Sequence, residues 1–141
     1  MPESAFAKPD DVYETLGAFM KEIVNHPEIG PKFTASNTSF HIVYTEPSGC
    51  EMTVDCTGPT TVVTCGPGAP PAEINLQMSA HDGHLFWLGR LNMTLALARQ
   101  QVKVSGTMSK MMKLLPALRP CFPLYREFLT EHGRADLAEA R

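Results

Sequence analysis

Four segments of this chain alternate apolar with polar residues, and this alternation constrains the fold more than any other feature. They lie at 39–45, 50–56, 72–78 and 102–105, and a turn at Gly58-Pro59 leads into a fifth strand-like segment at 61–65. A period of two residues is typical of a β-strand with one face in water and the other face buried. A sheet built from such strands needs cover on its buried face only, and helices can supply that cover. The pattern therefore predicts an α+β fold with five strands and helices on one face.

The first two strands are predicted to form a hairpin. Between them lies Glu46-Pro47-Ser48-Gly49, in which the proline suits the first turn position and Gly49 suits a left-handed one. The expected register pairs Tyr44 with Met52 and Ile42 with Val54, so that apolar side chains meet across the hairpin.

The helices needed to cover the sheet can be located by their spacing and their capping residues. Apolar residues recur at helical spacing from Val12 to Ile23, and His26-Pro27 should end that helix. Gly30-Pro31 indicates further loop. Helix-start residues predict three more helices, beginning after Ser79, after Asn92 and at Thr107, and apolar spacing with a stop at Gly133 predicts a last one from Pro123 to about His132.

Length and composition indicate a single domain spanning residues 1–141. With 141 residues, 43% of them hydrophobic and 19% charged, the chain can bury a sizeable core. The longest apolar runs stay far below the roughly 18 residues of a membrane span, and the N-terminus lacks a secretory signal pattern. We therefore expect a cytoplasmic protein. The four cysteines should be reduced there, and their spacing does not favour a zinc site.

The charges are distributed unevenly along the chain. Residues 83–126 contain seven basic residues and no carboxylate, whereas the first 82 residues are strongly acidic. Such a stretch can indicate an anionic partner. The alternative interpretation is that these cations are ordinary solubilising groups on the outer faces of helices.

Few residue patterns in this chain indicate catalysis. The cluster His81-Asp82-x-His84 could bind a metal, but an aspartate is expected there as part of a helix-capping turn. The residue types of a nucleophilic triad are present in Ser36, His41 and Asp55, but no serine has the G-x-S-x-G context that would support one. Nucleotide-binding glycine motifs are also lacking in the sequence. We therefore expect no enzyme activity, no cofactor, no metal and no nucleic-acid partner.

Methionine is abundant, with eight residues in the chain. Met108, Met111 and Met112 fall with Leu115 on one stripe of the helix that begins at Thr107. Methionine fills irregular space and adapts to variable apolar ligands. The stripe indicates either an ordinary core or an adaptable apolar pocket.

Residues 72–118 carry an ordered series of features. An alternating strand ends in Met78-Ser79 and a helix starts at Asp82, followed by the step Gly89-Arg90-Leu91-Asn92. A Lys103-Val104 strand, Gly106 and a Met- and Leu-rich helix at Met108–Leu118 complete the series. In this order and spacing the chain resembles the sterol carrier protein type 2 family, the non-specific lipid-transfer domain, over a core of about residues 10–118.

The resemblance implies a mixed, mostly antiparallel five-stranded sheet with an apolar tunnel between the sheet and the helices. It implies a non-catalytic carrier of fatty acids, fatty acyl-CoA, sterols or phospholipids. The alternative is an interaction or accessory subunit of an acyl-CoA or steroid enzyme. Expected partners are the lipid ligand, transiently an anionic membrane, and a second copy or an enzyme. The expected lining residues are Phe19, Ile42, Tyr44, Met78, Phe86, Leu91, Val104, Met108, Met111, Met112 and Leu115.

Two further expectations concern the basic stretch and the C-terminus. Arg90, Lys110 and Lys113 should lie near the tunnel mouth and meet an anionic headgroup. Residues 119–141 form a C-terminal helical extension beyond the family pattern. Because Phe122, Leu124, Phe128 and Leu129 make it too apolar for a free tail, we expect it to cover the tunnel or to contact a partner.

Overall fold

A five-stranded sheet forms the centre of the computed structural model, which describes residues 6, 8–46, 49–66, 68 and 72–139. The strand order is β3-β2-β1-β4-β5, with β1 and β4 parallel and the other neighbours antiparallel. The strands are β1 (Ser39–Tyr44), β2 (Cys50–Asp55), β3 (Val62–Cys65), β4 (Ile74–Met78) and β5 (Lys103–Gly106). The predicted α+β class with a mixed, mostly antiparallel sheet is confirmed.

The register of the first hairpin differs from the prediction. Tyr44 pairs with Cys50 and Ile42 pairs with Met52, two residues from the expected partners. Only residues 45–49 remain between the strands, and short connections of this kind are among the commonest in hairpins. A shift of two residues leaves every side chain on its predicted face. Gly49 has a φ of 85°, as its turn position requires, while Pro47 and Ser48 lie outside the described residues.

The helices pack on one face of the sheet. They are α1 (Pro9–Val12), which runs through a π-helical turn (Tyr13–Gly17) into α2 (Ala18–Val24), then α3 (Gly30–Ser36), α4 (Ala80–Trp87), α5 (Met93–Ala98), α6 (Met108–Ala117) and α7 (Cys121–Glu131), with a final 3-10 turn at Ala135–Glu139. The predicted caps of α4 and α5 are confirmed, since the Ser79 hydroxyl accepts from the Asp82 N–H and the Asn92 side chain accepts from the Leu95 N–H.

Helix α3 corrects the prediction of a loop at Gly30-Pro31. Pro31 lies in the first turn of the helix, where the missing N–H costs nothing and the fixed φ is already helical. Gly30 allows close packing, because a Cβ there would press on the carbonyl oxygen of Val24. The helix ends at Asn37, which adopts a left-handed φ of 48°.

Helix α7 is an integral part of the hydrophobic core. Tyr125, Leu129 and Cys121 are fully buried, and the Tyr125 ring lies 4.8 Å from the ring of Phe19. The Arg126 guanidinium donates to the Leu88 carbonyl at 2.7 Å and so ties α7 to the end of α4. Phe128 and Leu129 of the extension are buried, and Phe122 and Leu124 are half-buried.

Within the described residues, no helix combines the length and the apolar character that a membrane crossing requires.

Candidate functional site

An apolar cavity lies between the sheet and the helices. The sheet contributes side chains from the helix-facing side of three strands, namely Phe40, Ile42, Tyr44, Val54, Leu76 and Met78. Helices α2 to α6 contribute the opposite wall, namely Met20, Phe33, Gly83, Phe86, Trp87, Met93, Met111, Leu114, Leu115 and Leu118. Gly83 lets α4 approach the sheet closely, since a Cβ there would lie 3.2 Å from Cε1 of Tyr44.

The cavity wall offers almost no polar groups. Tyr44 and Trp87 are the lining residues whose side chains can donate a hydrogen bond. Burial raises the pKa of Tyr44, so its phenol stays neutral and remains a donor at any physiological pH. A wall of this composition favours an apolar ligand, because a charged group placed inside would lose its hydration without a partner.

The cavity is small as it stands, with a volume of about 80 Å³. Pockets for small-molecule ligands usually occupy about 300–1,000 Å³. A long acyl chain therefore fits only if lining side chains move apart. Met20, Met78, Met93 and Met111 in the wall are unbranched and can change shape at little cost. The predicted tunnel stays a prediction.

The cavity is partly open to the surface. Among the lining residues, only Leu76, Phe86, Met93 and Leu115 are half-exposed, and the others are buried. These four residues come from β4, α4, α5 and α6. We call them the mouth of the cavity.

Six of the eleven residues predicted to line a tunnel lie together in the cavity wall. They are Ile42, Tyr44, Met78, Phe86, Met111 and Leu115. Phe19 instead belongs to an aromatic cluster, with ring centroids 5.3 Å from Trp87 and 5.4 Å from Phe128.

The other four predicted lining residues lie outside the cavity wall. Val104 is half-buried and pairs with Leu76, so it points to the helix-facing side at the edge of the sheet. Leu91 is half-buried against the core. Met108 and Met112 are exposed, because the inward stripe of α6 runs through Met111, Leu114, Leu115 and Leu118 rather than through all three methionines.

Ten lining residues escaped the sequence prediction. They are Met20, Phe33, Phe40, Val54, Leu76, Gly83, Trp87, Met93, Leu114 and Leu118. The strand alternation carried a signal for Phe40, Val54 and Leu76, which share a face with Ile42. Phe33 carried no such signal, since its helix was predicted as loop.

The three cations predicted to meet a headgroup differ in their surroundings. The Lys110 ammonium lies 3.0 Å from a Glu73 carboxylate oxygen and also donates to the Asn37 carbonyl at 3.2 Å. The hydrogen bond from Lys110 lowers the pKa of the Glu73 carboxyl, which therefore stays ionised. Lys113 and Arg90 are exposed.

The residues considered for a nucleophilic triad and for a metal cluster make other contacts in the structure. The His41 ring nitrogen lies 3.0 Å from the Glu51 carboxylate, while the carboxylate of Asp55 accepts from the N–H of Thr57. His84 is fully buried, and its ring bonds the Tyr125 hydroxyl at 2.6 Å and the Leu137 carbonyl at 2.9 Å. Within the part of the chain that the structure describes, no three His, Cys, Asp or Glu residues are placed to hold a metal ion.

By sequence, no family model and no curated protein matches this chain. By structure, it is similar to the sterol carrier protein domain 2 of Helicoverpa armigera, with a TM-score of 0.65 over 86% of this chain and 96% of that one, at 17% identity. The chain has the sterol carrier protein 2 fold.

Two further structures with the sterol carrier protein 2 fold are also similar to this chain. The apo sterol carrier protein 2 of Yarrowia lipolytica gives a TM-score of 0.57 at 18% identity, over 76% of this chain and 93% of that one. A UbiJ–sterol carrier protein 2 structure, a ubiquinone synthesis protein, also gives 0.57 at 13% identity, over 86% of this chain and 95% of that one.

Proposed function

We propose that this protein is a non-catalytic lipid carrier that holds an apolar chain in the cavity between its sheet and its helices. The observation that carries the proposal is a partly open cavity in whose wall nearly every side chain is apolar. The sterol carrier protein 2 fold supports the proposal. Fatty acids and fatty acyl-CoA are the ligand classes that we favour, with sterols and phospholipids as further candidates.

The driving force for binding is the transfer of the chain out of water. Each methylene group that enters the cavity contributes about 0.8 kcal/mol. Part of this free energy is spent on widening a cavity of about 80 Å³. We therefore expect longer chains to bind more tightly until the widened cavity is filled.

The polar end of the ligand should remain outside, near exposed cations. Lys113 and Arg90 are exposed and can meet a phosphate, and the Lys110 ammonium also lies close to the Glu73 carboxylate. Fatty acyl-CoA should then bind more tightly than the free fatty acid, and high salt should reduce the difference. A variant with Lys113 and Arg90 changed to Gln should lose the difference. Lys103→Gln on the other face of the sheet is the matched control.

Native mass spectrometry of freshly purified protein tests the carrier function directly. We expect co-purified lipid. After lipid removal, we expect saturable binding of a fluorescent fatty acid that unlabelled palmitate displaces. Protein that is free of lipid when isolated and that shows no saturable binding after lipid removal would refute the carrier function.

A second candidate is an accessory subunit for an enzyme that acts on an acyl-CoA, steroid or other lipid substrate. The similarity to a ubiquinone synthesis protein and the small volume of the cavity favour it. The two candidates differ in their requirement for a partner. A carrier binds lipid by itself, whereas an accessory subunit would be empty alone and would acquire a function only in an assembly.

A further inference from the structure

A groove between α2 and α7 shares no lining residue with the cavity. We call it the α2–α7 groove. Its volume is about 60 Å³, which suits side chains inserted by a docked partner rather than a whole lipid chain. Its floor is apolar and consists of Phe19 and Ile23 from α2 with Leu124 and Phe128 from α7. The rings of Phe19 and Phe128 lie 5.4 Å apart, and the half-buried Leu124 leaves part of the floor accessible.

Three carboxylates line the same groove. They belong to Glu22, Glu127 and Glu131, whose side chains are all exposed. In the part of the chain that the structure describes, no cation lies within ion-pair distance of these carboxylates. Arg126, the one basic residue of α7, instead donates to the Leu88 carbonyl at 2.7 Å. The groove therefore combines an apolar floor with an uncompensated negative charge.

Two of the three carboxylates lie where their own helices disfavour a negative charge. Glu22 is in the last turn of α2, and Glu131 is the last residue of α7. The carbonyl groups at the end of a helix carry a partial negative charge, which repels an acidic side chain and attracts a cation. A positively charged group from outside the chain would relieve this repulsion at both helix ends.

The spacing of the groove residues suits a helix as the occupant. On α2 and the turn that follows it, the lining positions are 19, 22, 23 and 26, and on α7 they are 124, 127, 128 and 131. Each row is one face of a helix, and two such rows side by side form a channel into which a third helix can pack. The groove contains no strand edge, so a partner is recognised through its side chains, as in helix-in-groove binding.

The charge of the groove limits which surfaces can dock there. A second copy bound about a twofold axis through the groove would place the same three carboxylates against each other. The negative surface of a bilayer with anionic lipids would also be repelled. A helix with apolar side chains on one face and lysine or arginine beside them complements both the floor and the carboxylates.

We propose that the α2–α7 groove docks a basic amphipathic helix of another protein. Apolar side chains of that helix rest on the floor of the groove. Its lysine or arginine side chains lay their alkyl stems along Leu124 and place their charged ends among the three carboxylates. The inference does not depend on the carrier function, because the groove and the cavity are separate.

Fluorescence anisotropy with a labelled synthetic peptide tests the docking. The probe is an amphipathic helix of about 20 residues with leucine on one face and arginine beside it, and a peptide of the same composition in scrambled order is compared. We expect 1:1 binding of the amphipathic peptide that weakens as salt is raised. A variant with Glu22, Glu127 and Glu131 all changed to Gln should bind about tenfold more weakly, because three exposed ion pairs are lost.

Matched variants separate the groove from the overall charge of the protein. Asp10→Asn, Glu14→Gln and Glu46→Gln together remove the same charge from exposed residues outside the groove, and should change the affinity by less than about twofold. Leu124→Gln leaves the charge unchanged and should weaken binding about fivefold, because it removes part of the apolar floor.

Three results would overturn the proposal. The first is equal affinity of the two triple variants for the amphipathic peptide, and the second is equal binding of the scrambled peptide. The third comes from sedimentation velocity of the protein alone, where self-association that the groove variant abolishes would assign the groove to a second copy. We expect a monomer in both the native protein and the groove variant.

Discussion

Acidification should destabilise this protein through one buried histidine. His84 is fully buried on α4, between the Tyr125 hydroxyl and the Leu137 carbonyl. Because a carbonyl can only accept, Nε2 of His84 carries a proton and donates to Leu137, while Nδ1 accepts from Tyr125. The neutral ring therefore satisfies both partners and holds the C-terminal 3-10 turn against the core.

Protonation of this ring is unfavourable in the folded protein. The pKa of His84 is lowered from 6.5 to about 4, mainly by burial and further by the charges of His81, Arg134 and Arg90, against the opposing effect of the Leu137 hydrogen bond. The stabilisation is complete above pH 6.5 and is lost as the pH falls towards 4, because the unfolded chain takes up the proton first. At about 1.4 kcal/mol per pKa unit, the full effect is about 3 kcal/mol, of which about 2 kcal/mol is lost by about pH 5.

Urea denaturation of the native protein and of His84→Gln at about pH 7.5 and about pH 5 measures this effect. Glutamine can form hydrogen bonds but does not titrate. The native protein should lose about 2 kcal/mol more than the variant between the two pH values. The control variant His132→Gln replaces an exposed histidine at the end of α7. Between the two pH values it should lose as much free energy of unfolding as the native protein does. If native protein and His84→Gln lose the same free energy of unfolding, the reasoning about His84 is wrong.

Three further predictions concern the cavity, the sheet and the C-terminus. Leu115→Trp should reduce the capacity for a fluorescent fatty acid because it fills the mouth, whereas Met112→Trp should not; equal effects would contradict the position of the mouth. Gly49→Ala should lower the free energy of unfolding by about 1–2 kcal/mol, because its φ is left-handed. Gly106→Ala should lower it by more, because at position 106 the methyl group would also collide with backbone. Urea titration of both variants measures the two losses, and the reverse order would contradict this reasoning. Truncation after Leu118 should abolish cooperative unfolding, since α7 is part of the core; a truncated protein with a native-like transition would show that α7 is dispensable.

The sheet and most helices could be predicted from the sequence because their signals are local. Alternation at a period of two residues identified four of the strands and the turn at Gly58-Pro59 identified the fifth, while short polar side chains before helical segments identified the caps at Ser79 and Asn92. The hairpin register was predicted on the correct faces but two residues away from the observed one, because a shift of two residues preserves the apolar pattern that was used.

The candidate site could be predicted only in part. Strand residues such as Ile42, Tyr44 and Met78 were found, since alternation assigns a face. On α6 the apolar residues occupy more of the circumference than the cavity needs, and periodicity alone did not separate Met111, which is buried, from Met112, which is exposed.

The sequence by itself determined the five strands, most of the helices and the apolar face of the sheet, because these properties depend on neighbours a few residues away. Only the tertiary structure decided that the apolar residues of α7 complete the core and that His84 is bonded between Tyr125 and Leu137. Tertiary structure also decided that Leu76, Phe86, Met93 and Leu115 are the partly exposed members of one cavity wall. Residues distant along the chain meet there, and the angle at which each helix crosses the sheet selects the side chains that face the cavity.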